Sequence, residues 1–96
     1  MRLRSLLFFA AGTLFTGLAS AQPADLLKAK GCLMCHEVDK KKVGPAFQDV
    51  AVKYKGNKEA ESKLAAALKE GKGHPVRISA TDAELKSLVQ YVLALK

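Results

Sequence analysis

Cys32 and Cys35 are separated by Leu33 and Met34, and His36 follows directly, so the segment reads Cys-Leu-Met-Cys-His. Two thiols at this spacing suit three kinds of chemistry: a redox dithiol, half of a zinc site, or paired thioether attachment of a haem whose iron takes the adjacent imidazole. A redox dithiol of this kind sits in a strand-rich βαβ setting, and residues 22–96 carry no alternating strand pattern. Four-ligand zinc would need a second cysteine pair, and the chain has only two cysteines. Haem attachment uses all three side chains, with Cys32 and Cys35 on the two vinyl groups and His36 as proximal ligand to iron. One such motif predicts one covalent haem c. Met34 lies inside the motif, tethered too closely to reach the opposite face of the haem, and is read as filler or an edge contact.

The N-terminus says where this chemistry takes place. Arg2 and Arg4 precede an apolar run from Leu6 to Leu18, and Ala19-Ser20-Ala21 follows the small-residue pattern of signal-peptidase cleavage. The run is interrupted by Gly12, Thr13, Thr16 and Gly17 and falls short of the roughly 20 apolar residues of a membrane span. Residues 1–21 are therefore read as a signal peptide and residues 22–96 as one exported domain, with no membrane insertion after cleavage. An uncleaved anchor would leave the same domain facing the same oxidising compartment, the periplasm. Loss of Arg2 and Arg4 takes the formal charge from +7 to +5. A domain this small buries little apolar surface, and a large flat cofactor would supply part of its core.

The elements that must position the motif are helical. Pro23 can open a helix running to about Lys30, with Leu26 and Leu27 inward and Gly31 ending it. Glu37 to Gly44 reads as an exposed loop. Phe47, Val50, Ala51 and Tyr54 then follow the spacing of a short amphipathic helix closed by Gly56. Asn57 can cap a third helix, acidic at its start and with Lys69 at its end, whose buried face is marked by Leu64 and Leu68. Thr81 and Glu84 form a capping box for the last helix, whose apolar stripe is Leu85, Leu88, Val89 and Val92. About four helices and no strands make this an all-α domain.

These residues resemble a known family, the small class I cytochromes c, and in particular the bacterial c-551/c-552 type. The likeness runs through LLKAKGCLMCHEVDKKKVGPAFQDVAVKY, LAAALKEG and TDAELKSLVQYVLALK, nearly the whole domain. It implies the class I cytochrome c fold around one haem, with the first and last helices crossing and Gly31 and Tyr91 near the crossing. It also implies that Pro45 lies on the proximal side, where a backbone carbonyl can accept the Nδ1 proton of His36. The departure is the loop between Gly71 and Thr81. Family members carry a longer loop there, with a methionine as sixth ligand and usually a tryptophan near a propionate. Here the loop has neither, and the chain's two methionines are Met1 and Met34.

His74 stands where the methionine loop should pass, and imidazole is a good ligand for haem iron. It is the candidate distal ligand. The other readings are an exposed or propionate-paired His74, Lys72 as ligand, or an open five-coordinate iron. Arg77, in the same loop, is a candidate propionate contact. The expected function is a soluble periplasmic electron carrier, monomeric and not an enzyme. The alternatives are a gas-binding or sensory haem protein and a haem subunit of a periplasmic oxidoreductase. Lys40, Lys41 and Lys42 could steer the domain toward redox proteins with acidic docking patches, or could simply solvate a loop. Nucleic acid is not an expected partner of an exported chain.

Overall fold

The computed structural model describes residues 22–96, so the signal-peptide reading of residues 1–21 lies outside the described residues. Four helices follow one another: α1 (Pro23–Ala29), α2 (Phe47–Lys53), α3 (Ala60–Glu70) and α4 (Asp82–Leu93), with a single 3₁₀ turn at Cys32–Met34 between α1 and α2. No strand occurs among the described residues.

α4 organises the rest by packing against α1, α2 and α3. Its start is set locally. The Thr81 side chain accepts from the Glu84 amide at 3.1 Å, and the Thr81 amide donates to Glu84 Oε1 at 2.9 Å, so two otherwise orphaned donors are satisfied reciprocally. Its apolar positions recur every three or four residues, and Leu85, Leu88, Val89 and Val92 are all buried. Leu88 and Val92 join Leu26 and Leu27 of α1 and Phe47 of α2 in one cluster, against which Cys32, Leu33, Val50, Tyr91 and Leu95 pack. The attachment turn is thus mounted directly on the core.

Two expectations shift in detail. α3 starts two residues later than a cap at Asn57 would have it: Glu59 is its N-cap residue. Asn57 instead closes a preceding turn, its side chain accepting from the Glu59 amide at 3.0 Å and its carbonyl from the Ala60 amide at 3.2 Å. Leu64 and Leu68 are half-buried, and Ala60 is the one buried residue of the helix. Gly31 ends α1 as expected, through a left-handed backbone with φ of 74°. A Cβ added there would meet only Met34 Sδ, at 3.7 Å.

Removing the cap or the stripe should weaken the whole domain, since α4 touches every other helix. Thr81→Ala is expected to cost about 1 kcal/mol and Leu88→Ala about 2–5 kcal/mol, measured by guanidinium unfolding of the haem-loaded protein. The hydrogen bond from the Thr81 amide holds the Glu84 carboxyl below its ordinary range. Its contribution is therefore present above the unfolded pKa and is lost as pH falls through the lower folded value. Glu84→Gln should flatten that acid limb of the stability curve.

Candidate haem site

The left-handed Gly31 turns the chain out of α1 and into the 3₁₀ turn. Met34 donates from its amide to the Gly31 carbonyl, and the amides of Cys35 and His36 both donate to the Cys32 carbonyl, at 3.2 and 3.0 Å. Both thiols are free, Cys32 half-buried and Cys35 exposed. Burial pushes the Cys32 thiol above its ordinary pKa. A nucleophilic redox dithiol needs the opposite shift in its attacking thiol.

The loop after the motif returns to the turn it left. Gly44 donates from its amide to the Cys35 carbonyl at 2.7 Å, Phe47 to Glu37 at 2.9 Å and Gln48 to Val38 at 3.0 Å. This closure carries the Pro45 carbonyl to 2.6 Å from His36 Nδ1. A carbonyl can only accept, so Nδ1 is the protonated nitrogen and Nε2 keeps its lone pair. A ring in this tautomer is ready to bind a metal, with its orientation held by the bond behind it.

Two neighbours complete the mounting of His36. Phe47 lies beside the ring with centroids 4.9 Å apart and planes 22° from parallel. Gly44 lies against it so closely that an added Cβ would be 2.7 Å from Nδ1 and 2.8 Å from Nε2. Neither role is marked in the sequence. Phe47 reads as an ordinary apolar helix position, and Gly44 as a turn residue beside a proline.

His74 is half-buried and lies near the same ring, with centroids 6.2 Å apart and planes 20° from parallel. Its Nδ1 donates to the Val76 carbonyl at 2.7 Å, so its Nε2 also keeps a lone pair. The structure therefore brings together Cys32, Cys35, His36, Pro45 and His74. Arg77 is exposed, and its Nε donates to the Glu70 carbonyl at the end of α3, 3.2 Å away. Met34 is 77 % exposed, which removes it from any core-filling role.

The profile of the family described as Cytochrome c matches residues 21–96. The chain belongs to the cytochrome c family. It is 47% identical over 78 residues to cytochrome c-552 of Hydrogenobacter thermophilus, an overlap covering 74% of this chain and 79% of that one. Against cytochrome c-552 of Nitrosomonas europaea the identity is 38%, covering 93% of this chain and 92% of the relative. The crystal structure of wild-type Nitrosomonas europaea cytochrome c552 superposes with a TM-score of 0.67, covering 76% of this chain and 99% of that chain at 38% identity. The class 1 cytochrome MtoD from Sideroxydans lithotrophicus ES-1 gives 0.70 at 30% identity, covering 77% and 92%.

As a small class I bacterial cytochrome c, the protein binds covalently attached haem c and is an electron carrier, not an enzyme, which exchanges electrons with redox partner proteins. Its residues fit that cofactor. Two free thiols lie a turn apart, Cys32 packed on the core and Cys35 exposed, and the His36 imidazole that follows them is oriented by the Pro45 carbonyl. Among the described residues no helix is long and apolar enough to cross a membrane.

Because the His36 ring rests on the Gly44 backbone, a methyl group there must displace one or the other. Gly44→Ala is expected to destabilise the haem-loaded cytochrome by about 1–3 kcal/mol, read from guanidinium unfolding followed at the haem absorption band. Wild-type stability would mean that the ring has room to move.

Proposed function

We propose that this cytochrome c is a soluble, monomeric electron carrier of the periplasm with bis-histidine ligation: Cys32 and Cys35 hold the haem, His36 is the proximal ligand and His74 the distal one. Residues 1–21 act as a signal peptide and residues 22–96 form the mature monohaem domain. The observation that carries the reading is the pair of neighbouring imidazoles, 6.2 Å apart between centroids, each with Nδ1 donating to a backbone carbonyl. His36 and His74 would be the residues to hold a haem iron from either side, their ring centroids lying 6.2 Å apart.

The haem supplies a one-electron couple, its iron alternating between ferrous and ferric. The backbone carbonyls that accept from His36 Nδ1 and His74 Nδ1 would orient both rings. A second imidazole in place of a thioether withdraws the ligand that raises the potential in methionine-ligated cytochromes, and the potential is expected to be lower.

Purified ferric protein should show a low-spin spectrum without the near-infrared sulfur-to-iron band. His74→Ala should convert it to high spin and let the ferrous form bind carbon monoxide rapidly. An unchanged low-spin spectrum in His74→Ala would overturn the ligand assignment. Rapid and complete carbon monoxide binding by the wild-type protein would favour the gas-binding alternative.

Lys40, Lys41 and Lys42 are exposed beside the attachment turn, and Lys42 Nζ reaches the Leu33 carbonyl at 3.4 Å. The ion pairs among the described residues use Lys63, Lys69 and Lys86. The three loop lysines are proposed to steer acidic partners toward this edge. Oxidation of the ferrous protein by anionic hexacyanoferrate should therefore slow as salt is raised. Replacing all three by Glu should lower the low-salt rate by about tenfold or more, while a cationic oxidant should show the opposite trend. A rate indifferent to both changes would leave the lysines as solvating groups only.

A further inference from the structure

The segment that presents His74 is short, and its far end is fastened to the protein at three consecutive residues. α3 ends at Gly71, which takes the left-handed conformation with φ of 71°. Arg77 Nε then donates to the Glu70 carbonyl at 3.2 Å, the Ile78 amide donates to the Leu68 carbonyl at 2.8 Å, and Lys30 Nζ donates to the Ser79 carbonyl at 2.8 Å. Glu70 and Leu68 belong to the last turn of α3, whose carbonyls have no partner within the helix. A guanidinium there also sits favourably at the negative end of the helix dipole.

Arg77 is singled out by two further observations. The carbonyl that accepts from His74 Nδ1 is that of Val76, and its carbon is bonded to the Arg77 nitrogen. The peptide plane that aims the histidine is therefore shared with the residue clamped to α3, and rotation at Arg77 turns the acceptor. The clamp is also sterically fitted: a Cβ built on Gly71 would lie 3.0 Å from Arg77 Cγ, so the bare glycine backbone is what lets the arginine stem lie across the helix end. Pro75 fixes one backbone angle between the histidine and its acceptor, leaving little slack.

We propose that Arg77 is a positioning residue for the distal histidine: by holding the Val76–Arg77 peptide against the end of α3, it keeps the His74 ring aimed at the iron. This rests on the bis-histidine reading above. The alternative role, a pair with a haem propionate, makes a different demand on the same side chain. It would tune the potential through charge and leave the hold on His74 untouched.

The test compares haem-loaded wild type, Arg77→Leu, Arg77→Lys and His74→Ala. Leucine keeps carbon over Gly71 but loses the donor, whereas lysine keeps a donor able to reach the Glu70 carbonyl. Carbon monoxide association with the ferrous protein and the ferric paramagnetic resonance g-values report how firmly the distal ligand is held. A lost hydrogen bond of ordinary strength should raise the carbon monoxide rate about 3- to 10-fold in Arg77→Leu, with shifted g-values, and Arg77→Lys should restore most of both. If His74→Ala becomes high-spin while Arg77→Leu keeps the wild-type rate and g-values, His74 is a ligand that does not depend on Arg77, and the proposal fails alone. A changed potential in Arg77→Leu with unchanged carbon monoxide binding assigns the propionate role and overturns it as well. An unchanged spectrum in His74→Ala removes the ligand and the proposal together. Should Arg77→Leu not accumulate, Arg77→Gln makes the same comparison.

Discussion

The hydrogen bond between His36 Nδ1 and the Pro45 carbonyl joins the two parts of the chain that the site needs. On one side of it are α1 and the attachment turn; on the other is α2, whose Phe47 belongs to the core and lies beside the His36 ring. A half-buried hydrogen bond adds only about 1 kcal/mol net, so its importance is directional. It determines which nitrogen carries the proton and which way the ring points. For that bond to form, the loop between the motif and α2 must close, and closure requires Gly44 to pass against the ring with no side chain.

The same constraint explains how so small a domain is built. Among the described residues the enclosed apolar side chains form a compact set around Leu26, Leu27, Phe47, Leu88 and Val92, with Leu85 the largest that is fully buried. Leu33, Val50, Tyr91 and Leu95 are only partly covered, and so are Leu64 and Leu68 on α3. A core of this size is marginal for an unassisted chain. Cys32 packs on that cluster, so a haem attached through it would become a permanent part of the core.

What could be read from the sequence follows the range of the interactions. The capping box and stripe of α4 were legible because each signal lies within one or two helical turns of its effect. Cys32, Cys35 and His36 were legible because covalent chemistry dictates their spacing. The start of α3 was placed two residues early, since Asn57 has the right side chain for a cap and the structure uses it in the turn before. Phe47 beside His36, Gly44 beneath it and Arg77 across Gly71 were not legible, because each depends on where a loop lands in three dimensions. The acceptors for both histidines are backbone carbonyls, which no side-chain pattern can announce. The Pro45 carbonyl was anticipated through family resemblance and not through its residue type.

The two histidines are held by equivalent bonds with unequal reach. The acceptor for His36 lies nine residues along the chain and is delivered by the closure of a loop onto the core. The acceptor for His74 lies two residues along, inside the same short loop. The orientation of His36 is therefore a property of the fold, whereas that of His74 is a property of one loop and of whatever fastens its ends. That loop is fastened to Leu68 and Glu70 at the end of α3 and, through Ser79, to Lys30 beside the attachment turn. A sixth iron ligand from this loop would have to be a side chain other than methionine, since none lies between Gly71 and Thr81.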